Sequence, residues 1–234
     1  MTAISGEVLE TFELSDGAGE DFPIQIVRPT PDAEQMRALR EASDRWLDIA
    51  RDFVRRADAD QVERDVARRA VFGSEVLFFA ASQLRNEDRA GVLIATSEGD
   101  PVGAALYFVR GDVGTLAWVA VHPLFLAGSP LELSQAVRGI GSSLTCVAAQ
   151  QMAAAGATTI RLSALDDAAE AFWRSRGFED CGGDELCVRG AGVAELAAAC
   201  RREPDDQAQG DVVLCGTYES TAACRVPDLR EVMV

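Results

Sequence analysis

Two glycines, Gly139 and Gly141, stand in a stretch whose beginning is typical of a helix. Upstream, Ser129 supplies a capping hydroxyl, Pro130 suits the first helical position, and Glu132 can return to the cap amide. Each glycine inside a helix costs about 1 kcal/mol relative to alanine, so the pair requires a reason. Either the glycines let backbone amides wrap around an anion such as a phosphate, or they are small residues where another element packs closely.

His122 is the only histidine and an obvious candidate for a general base, because imidazole titrates near neutral pH. It stands before Pro123 at the end of an apolar segment, and His-Pro is also a common strand ending that involves no chemistry. Four carboxylates are alternative bases that the sequence does not rank: Glu98, Asp112, Glu132 and Asp180. A water molecule can also carry the proton, in which case no single side chain is essential.

The balance of charge bounds the partners. Among 234 residues, 38 acidic and 22 basic side chains give a formal net charge of −16, which repels the phosphates of nucleic acids. The same charge favours cationic partners, amines included, although solubility alone is the simpler explanation. All 22 basic residues are arginine. A GC-rich coding sequence or avoidance of lysine modification would produce this.

Targeting and redox features are those of an ordinary soluble protein. The first 20 residues are acidic and lack the basic start and apolar core of a signal peptide, and no apolar run approaches the roughly 20 residues of a membrane span. We therefore expect a cytoplasmic location and no membrane partner. The six cysteines contain no CxxC pair, so with one histidine we expect no metal site and reduced thiols that serve mainly in packing.

The elements that must position these residues follow from hydrophobic periodicity and turn residues. Three central strands form an antiparallel meander at about residues 91–121, and a helical crossover to the next strand favours a parallel pairing there. In chain order the predicted elements are a flexible leader at 1–21, a strand at 22–28, helices from Thr30 and over 58–72, the meander, a helical segment at 129–155, a strand at 157–165, a short helix at 168–178, strands at 184–190 and 211–220, and a helix at 193–202.

The segment from residue 129 to 155 leaves two arrangements open. In one, a short helix over 130–135 breaks at 137–141, which frees the backbone amides of the glycine loop. In the other, one long helix absorbs both glycines and uses those amides in intrahelical hydrogen bonds. We favour the break, because two interior glycines destabilise a continuous helix.

Two segments set in this order of elements carry a resemblance. The first is WVAVHP at 118–123 followed by AVRGIGSSL at 136–144, and the second is LDDAAEAFWRSRGF at 165–178. They resemble the GNAT superfamily of acetyl-CoA-dependent N-acetyltransferases, in its strand ending in Val-x-Pro, its R/Q-x-x-G-x-G/A loop, and its N-x-x-A and Y-x-x-x-GF helix. The resemblance covers about residues 22–183. It implies an α/β fold with a mixed, mostly antiparallel central sheet, flanking helices, and a splay at the strand that binds acetyl-CoA.

The resemblance also implies the residues that hold acetyl-CoA. The backbone of Val119 and Val121 would pair with the pantetheine arm or the thioester carbonyl. The loop would bind the pyrophosphate through its amides, and its residues are Arg138, Gly139, Ile140, Gly141 and Ser142. Ala136 departs from the family pattern, in which Arg or Gln is usual, and about ten extra residues precede the loop.

Two further departures lie in the second segment. Trp173 stands where the family often has a tyrosine that protonates the departing CoA thiolate, and an indole N–H donates a hydrogen bond without being a comparable proton source. Trp173 is therefore expected beside the cofactor's sulfur, and we keep it with His122 as a candidate catalytic residue. Asp166 stands where asparagine is usual, and we expect it to cap the helix and to contribute to the cofactor site.

These observations lead to one predicted function and two alternatives. We predict an acetyl-CoA-dependent N-acetyltransferase that transfers an acetyl group directly to an amine on a small molecule or peptide within a ternary complex. Its domain would span 22–190, before a C-terminal extension at 191–234 suited to acceptor specificity or to forming a homodimer. One alternative is a degenerate GNAT fold that binds or regulates without catalysis. The other is an interaction protein that acts on host targets, suggested only by the missing lysines.

Overall fold

A nine-stranded sheet forms the centre of the protein. The structure, a computed structural model, describes residues 3–16, 19–56, 61–85, 90–126, 137–199 and 214–215. Eight of the described strands lie in the order β1-β2-β3-β4-β5-β6-β8-β7, and the ninth pairs with β5. The strands are β1 Gly6–Ser15, β2 Asp21–Pro29, β3 Gly91–Ser97, β4 Asp100–Arg110, β5 Val113–Val121, β6 Thr159–Ser163, β7 Glu179–Gly182, β8 Glu185–Arg189 and β9 Leu214–Cys215.

Helices cover the sheet. The described helices are α1 Ala33–Arg56, α2 Gln61–Gln83, α3 Ile140–Ala154, α4 Asp167–Ser175 and α5 Ala191–Ala198, with one 3-10 turn at Pro123–Phe125. The helix predicted from Thr30 is present but begins at Ala33, where an Asp32 carboxylate oxygen accepts the Gln35 N–H at 2.8 Å just before α1. Within the described part of the chain, no helix has both the length and the apolarity that crossing a membrane requires.

The central strands are buried on both faces. Alternate side chains of a strand point to opposite sides of the sheet. Here Ile94, Leu106 and Ala120 pack with α1 and α2, while Leu93 and Val119 pack with α3. All five side chains are fully buried. This double burial explains why the meander is an almost continuous apolar sequence.

The predicted fold class is confirmed. Neighbouring described strands are antiparallel throughout, except that β5 and β6 run parallel on either side of the crossover helix α3. The structure is therefore a mixed, mostly antiparallel sheet with flanking helices. The three-stranded meander and the parallel pairing after the crossover both match the expectations from sequence.

The first described residues form a strand where we expected a flexible leader at 1–21. β1 pairs with β2 along its length, from Gly6 opposite Pro29 to Ser15 opposite Asp21. Leu14 is buried, and Phe12 packs against the same core cluster. The segment resembled a leader because an edge strand leaves most of its side chains in solvent and so carries many polar residues.

The beginning of the predicted C-terminal extension packs against the rest of the protein. α5 lies on α3, where the Gln150 side-chain amide donates to the Ala197 carbonyl at 3.1 Å. The extension predicted at 191–234 therefore begins as part of the same packed structure. Apart from 214–215, its residues beyond Ala199 lie outside the described residues.

Two cysteines on neighbouring strands are oxidised. Cys181 and Cys187 form a disulfide that joins β7 to β8. This corrects the expectation of reduced thiols. The two residues meet because β7 and β8 are consecutive antiparallel strands, so a separation of six residues brings their side chains together across a short turn.

Candidate functional site

The parallel strands β5 and β6 separate after three paired residues. Their register runs from Val113 opposite Thr159 to Thr115 opposite Arg161 and ends there, although β5 continues to Val121. This divergence is the splay that the resemblance implied. The second half of β5 thus has one edge on β4 and the other edge facing the gap.

The backbone groups of Val119 and Val121 face that gap. The His122 N–H donates to the Val102 carbonyl on β4 at 2.8 Å, which fixes the alternation of this strand. Successive residues of a strand direct their backbone groups to opposite edges. Because the His122 N–H points to β4, the N–H and C=O groups of Val121 and Val119 point to the other edge, toward the splay. Both valine side chains are fully buried, so only the backbone of these residues is offered to a partner.

The N-terminus of α3 lies at the same end of the sheet. Gly103 is opposite Val121 in the β4–β5 ladder, and a Cβ on Gly103 would approach Leu144 and Ile140 at 2.8 and 2.9 Å. At the other end of β5, a Cβ on Gly114 would approach the Met152 sulfur at 2.6 Å. The helix therefore runs antiparallel to β5, and its first turn stands beside the splay.

The helix begins at the glycines rather than passing through them. Gly139 is the N-cap of α3, with φ of 98° in the left-handed region that favours glycine. The Ser143 N–H donates to the Gly139 carbonyl at 2.8 Å and opens the helical ladder. The prediction that no continuous helix passes through the pair is confirmed at Gly139, but the non-helical residues are 137–139, since Ile140 and Gly141 already belong to α3. The short helix predicted at 130–135 lies outside the described residues. The break places the first-turn amides, with their positive dipole potential, at the splay.

The two glycines have different roles. Gly139 supplies the left-handed turn, whereas Gly141 is buried within the first turn of α3. There the Thr145 hydroxyl donates to the Gly141 carbonyl at 2.8 Å. Gly139 thus has the conformation that the first explanation requires, and the binding of an anion there stays a prediction.

An arginine that the sequence analysis missed lies at this helix N-terminus. Arg176, the C-cap residue of α4, donates from its guanidinium to the Ser142 hydroxyl at 2.9 Å. Its guanidinium carbon also stands 5.2 Å from the centre of the Phe172 ring. Arg138 is exposed just before the Gly139 cap. Ala136, where the family usually has Arg or Gln, lies outside the described residues, and Arg176 supplies a cation near the loop from another element.

Trp173 is enclosed in an aromatic cluster. Its ring is fully buried and lies edge-on to Phe172 and Phe178, with ring centroids 4.8 and 5.3 Å apart. Among the described residues, its indole N–H and the Ser163 hydroxyl are buried without a hydrogen-bond partner. Ser163 ends β6, on the part of the strand that has diverged from β5. Two unmet polar groups in the elements beside the splay are what a site for a polar ligand would contain.

Asp166 is committed to the protein itself. One carboxylate oxygen accepts the Ala169 N–H at 2.8 Å and caps α4. Both oxygens also receive the Arg69 guanidinium of α2, at 2.9 and 3.0 Å. The predicted cap is confirmed, and the ion pair joins α2 to the start of α4. A contribution of Asp166 to the cofactor site stays a prediction, one that competes with these three bonds.

His122 combines structural contacts with a place at the end of β5. Its Nδ1 accepts the Leu124 N–H at 3.2 Å and caps the 3-10 turn. The imidazole also packs near Trp46 and Phe125, with ring centroids 5.0 and 5.3 Å away. Burial, reinforced by the charge of Arg45, lowers the pKa of His122 to about 4. The ring is therefore neutral at pH 7, and with Nδ1 accepting a hydrogen bond its proton resides on Nε2.

A carboxyl group that the sequence did not single out lies on α2. Burial raises the pKa of Glu75 above its ordinary value. One helical turn further on, Phe79 stacks on Trp118 of β5 with ring centroids 5.1 Å apart. Glu75 therefore shares the face of α2 that packs against the diverging half of β5. Its sequence signal was weak, because a single glutamate in a long helix has the pattern of a solvated position.

Of the four carboxylates considered as alternative bases, the three that the structure describes are not brought together. Glu98 forms the β3–β4 turn with φ of 52°. Asp112 lies in the β4–β5 turn, where its carbonyl accepts the Thr158 N–H at 2.8 Å. Asp180 pairs with Arg174 at 2.8 Å on the surface. Glu132 lies outside the described residues.

A cavity of about 530 Å³ lies at the opposite end of the sheet. Its lining includes Arg28, Gly91 and Tyr107, and Tyr107 pairs with Leu116 near the beginning of β5. Arg28 forms an ion pair with Glu7 at 2.7 Å. Burial raises the pKa of Tyr107, an effect that the charge of Arg28 partly opposes. This cavity is separate from the splay and from the N-terminus of α3.

Comparisons with known proteins give structural likenesses only. No match was found to a protein-family model or to a curated protein. Similar solved structures include the PaiA N-acetyltransferase of Thermoplasma acidophilum in complex with coenzyme A, with 15% identity and a TM-score of 0.43, covering 71% of this chain and 98% of that one. A GNAT-family acetyltransferase of Brucella melitensis in complex with acetyl-CoA has 17% identity and a TM-score of 0.41, covering 84% and 96%.

A mutant AtaT toxin bound to the C-terminus of the antitoxin AtaR is also similar, with 20% identity and a TM-score of 0.41, covering 61% of this chain and 87% of the toxin. Two of the three structures are therefore acetyltransferases that contain coenzyme A or acetyl-CoA, and one of these two is of the GNAT family. Superpositions this loose carry no argument about what the chain does. The class that its own geometry defines is a mixed sheet that splays beside the N-terminus of its crossover helix.

Proposed function

We propose that the protein is an acetyl-CoA-dependent N-acetyltransferase whose acceptor is an amine. The observation that carries the proposal is the combination at one end of the sheet. There the edge of β5 that has diverged from β6, and that only the two residues of β9 pair with, meets a helix N-terminus that begins at Gly139 and has Arg176 beside it. A strand edge suits an extended amide-containing arm, and a helix N-terminus with a nearby cation suits phosphate.

The residues at the splay fit acetyl-CoA. The first turn of α3, with Arg138 and Arg176, would hold the pyrophosphate, since phosphate oxygens accept from backbone amides and guanidinium groups. The backbone of Val119 and Val121 would hold the pantetheine amides. The cofactor would supply an activated acetyl thioester, and the chain would supply binding and orientation.

Positioning is the main contribution expected from the backbone. A thioester carbonyl held against an N–H of β5 would have its developing negative charge stabilised by a fixed donor in a buried strand. Holding the amine and the thioester in reactive alignment removes much of the entropic barrier to their reaction. Neither contribution depends on a reactive side chain.

Glu75 is the base that we propose for the acceptor amine. A carboxylate whose pKa is raised by burial accepts a proton more readily than an exposed one. His122 is suited instead to donate, because its Nδ1 already accepts the Leu124 N–H and its Nε2 carries the proton. The general-base role first considered for His122 stays a prediction.

The test is acetyl-CoA binding measured by calorimetry on the Gly139→Asp variant, with Gly156→Asp as the control. Both glycines have positive φ, 98° and 95°, so the backbone strain of substitution is matched. Gly156 lies just past the C-terminal end of α3, away from the splay. We expect binding by the wild type and by Gly156→Asp, and loss of binding by Gly139→Asp, since the new carboxylate would repel phosphate.

A folded wild type that binds no acetyl-CoA would contradict the proposal, as would equal binding by the two variants. Circular dichroism would establish that each variant is folded. If acetyl-CoA binds, a screen of amines with release of free CoA thiol as the readout would test catalysis.

A second candidate is a binding or regulatory protein without transferase activity. It is favoured by Trp173, which cannot serve as the proton source that a tyrosine would be, and which is buried in an aromatic cluster. Acetyl-CoA binding without thiol release for any amine would support this candidate. Replacing Trp173 by tyrosine would then be expected to restore no activity.

A further inference from the structure

We propose that the strand β9, Leu214–Cys215, is an internal competitor for the cofactor's place on β5. This inference rests on the proposed function and adds to it a regulation of the same site. The chain would hold its own C-terminal segment against the splay until acetyl-CoA displaces it.

The register of β9 carries the inference. β9 is antiparallel to β5, with Leu214 opposite Val119 and Cys215 opposite Trp118. These positions lie beyond Thr115, the last residue of β5 that pairs with β6. β9 also contacts β6, so it lies in the gap that the two diverging strands open. The edge of β5 that β6 leaves is thus partly covered by another segment of the same chain.

The backbone groups of Val119 face β9 and are also the ones proposed to bind the pantetheine arm. The alternation along β5 directs the Val119 N–H and C=O toward the gap, and the register places Leu214 opposite them. These are the groups proposed above for the pantetheine amides. A strand edge has room for one partner, so β9 and the pantetheine arm cannot occupy Val119 together.

The contact is short enough to be displaced. Only two residue pairs join β9 to β5, whereas β4 pairs with the same strand along eight. A short edge pairing adds few backbone hydrogen bonds, each with a modest net contribution to stability. The apparent affinity for acetyl-CoA is then the intrinsic affinity multiplied by the fraction of molecules in which β9 has left.

The experiment compares acetyl-CoA binding by the full-length wild type and by full-length Leu214→Pro. Proline has no N–H to donate to Val119, and it is excluded from paired strands. If β9 is seated in about nine molecules of ten, the variant is expected to bind acetyl-CoA about tenfold more tightly. The matched control is Ala208→Pro, a proline six positions earlier, which should leave the dissociation constant unchanged.

Hydrogen exchange provides a second readout. Addition of acetyl-CoA to the wild type should increase exchange in the peptide that contains Leu214 and Cys215, while the Val119 amide stays protected by its new partner. The Leu214→Pro variant should show fast exchange in that peptide before any ligand is added.

The outcomes separate the two proposals. Equal affinity of the wild type and Leu214→Pro, or a tail peptide whose exchange acetyl-CoA does not change, would overturn the competition and leave the proposed function standing. Failure of both proteins to bind acetyl-CoA would overturn the proposed function, and the competition with it. Tighter binding by both prolines would show that the effect is not specific to β9 and would also overturn the inference.

Discussion

Individual residues at the splay have functions that their types alone do not reveal. Asp166 is placed by its cap and by Arg69, and His122 by the N–H of Leu124. Arg176 approaches Ser142 across 34 residues of sequence. At this scale the site is a set of polar groups whose partners come from distant elements, and each can be tested by a substitution that changes one partner.

Replacement of Arg176 by glutamine should weaken acetyl-CoA binding by about tenfold, because a charge-assisted contact to phosphate would be lost. The control is Arg174→Gln, two residues away. Arg174 pairs with Glu170 and Asp180 on the surface, and among its described contacts none is with the N-terminus of α3. Calorimetric dissociation constants would decide. Equal effects of the two substitutions would exclude Arg176 from the phosphate site.

Replacement of Glu75 by glutamine should lower kcat by about a hundredfold if Glu75 is the base. The wild-type rate should fall as the pH drops through the raised pKa of this carboxyl, because the protonated form accepts no proton. The variant should lack this acidic limb. Glu34→Gln, at the exposed first turn of α1, is the control. A variant with normal kcat and an unchanged pH profile would exclude the role.

His122 should make stability depend on pH between about 4 and 6.5. Its pKa is about 4 in the folded protein and near 6.5 in the unfolded chain. The unfolded state therefore binds more protons in this window, so stability is fully present above the higher value and is lost as the pH falls toward the lower one. The loss is at most about 3 kcal/mol.

The measurement for His122 is urea unfolding across this window, with His122→Gln as the comparison. Other carboxylates contribute to acid unfolding in both proteins, so the difference between the two stability curves isolates the histidine. Parallel curves would mean that His122 protonates equally easily in the folded and unfolded chain.

At the scale of elements, the site depends on how closely α3 lies on the sheet. Gly103 in β4 leaves room for Ile140 and Leu144, whose side chains seat the first turn of the helix. The β4–β5 ladder sets Gly103 opposite Val121, so the same contact fixes the helix N-terminus relative to the splay. A single missing Cβ thus positions the proposed phosphate site.

The substitution Gly103→Ala should destabilise the protein by about 1–3 kcal/mol and weaken acetyl-CoA binding, because the new methyl group would displace the start of α3. Gly73→Ala is the matched control. Its Cβ would meet the Val121 carbonyl and the Trp46 ring at 3.4 Å and 3.5 Å, ordinary contact distances. Alanine inside α2 should stabilise by about 1 kcal/mol. Urea unfolding and calorimetry would test both, and stabilisation by Gly103→Ala would contradict the packing argument.

Local signals in the sequence were sufficient for most elements. The capping pattern before α1, the turns of the meander and the glycine break before α3 are each encoded within a few residues, and each is observed. β1 was missed because an edge strand is recognised by its partner, and its own sequence is mostly polar. The loop predicted at 138–142 likewise indicated where α3 begins, and so where the amides of its first turn lie.

Long-range contacts explain what the sequence did not provide. Arg176 and Glu75 acquire their surroundings only when separate elements pack. The pairing of β9 with β5 depends on register across about 95 residues of chain, and no periodicity encodes it. The sequence could therefore indicate the loop proposed to bind phosphate, but not Arg176 beside it or the position of β9 between β5 and β6.

At the scale of the whole molecule, the net charge of −16 sets a field that attracts cations. If the acceptor is an amine, this field should lower KM for acceptors that carry several positive charges. Increasing salt shortens the Debye length, which is about 10 Å at 0.1 M, and should raise KM for a polyamine much more than for a monoamine. Steady-state kinetics at low and high salt would test this, and equal salt dependence for both acceptors would exclude long-range attraction as a source of specificity.

The intrinsic fluorescence of the three tryptophans can report on the candidate site. Trp46 contacts the imidazole of His122, Trp118 stacks on Phe79 beside β9, and Trp173 is buried with its indole N–H unmatched among the described residues. Each ring thus has a different set of neighbours. Protonation of a neighbouring imidazole quenches indole emission, so acid should dim Trp46, while a ligand that removes β9 should alter Trp118. In a variant in which two of the three tryptophans are replaced by phenylalanine, the emission of the remaining indole reports one of these events without an attached dye.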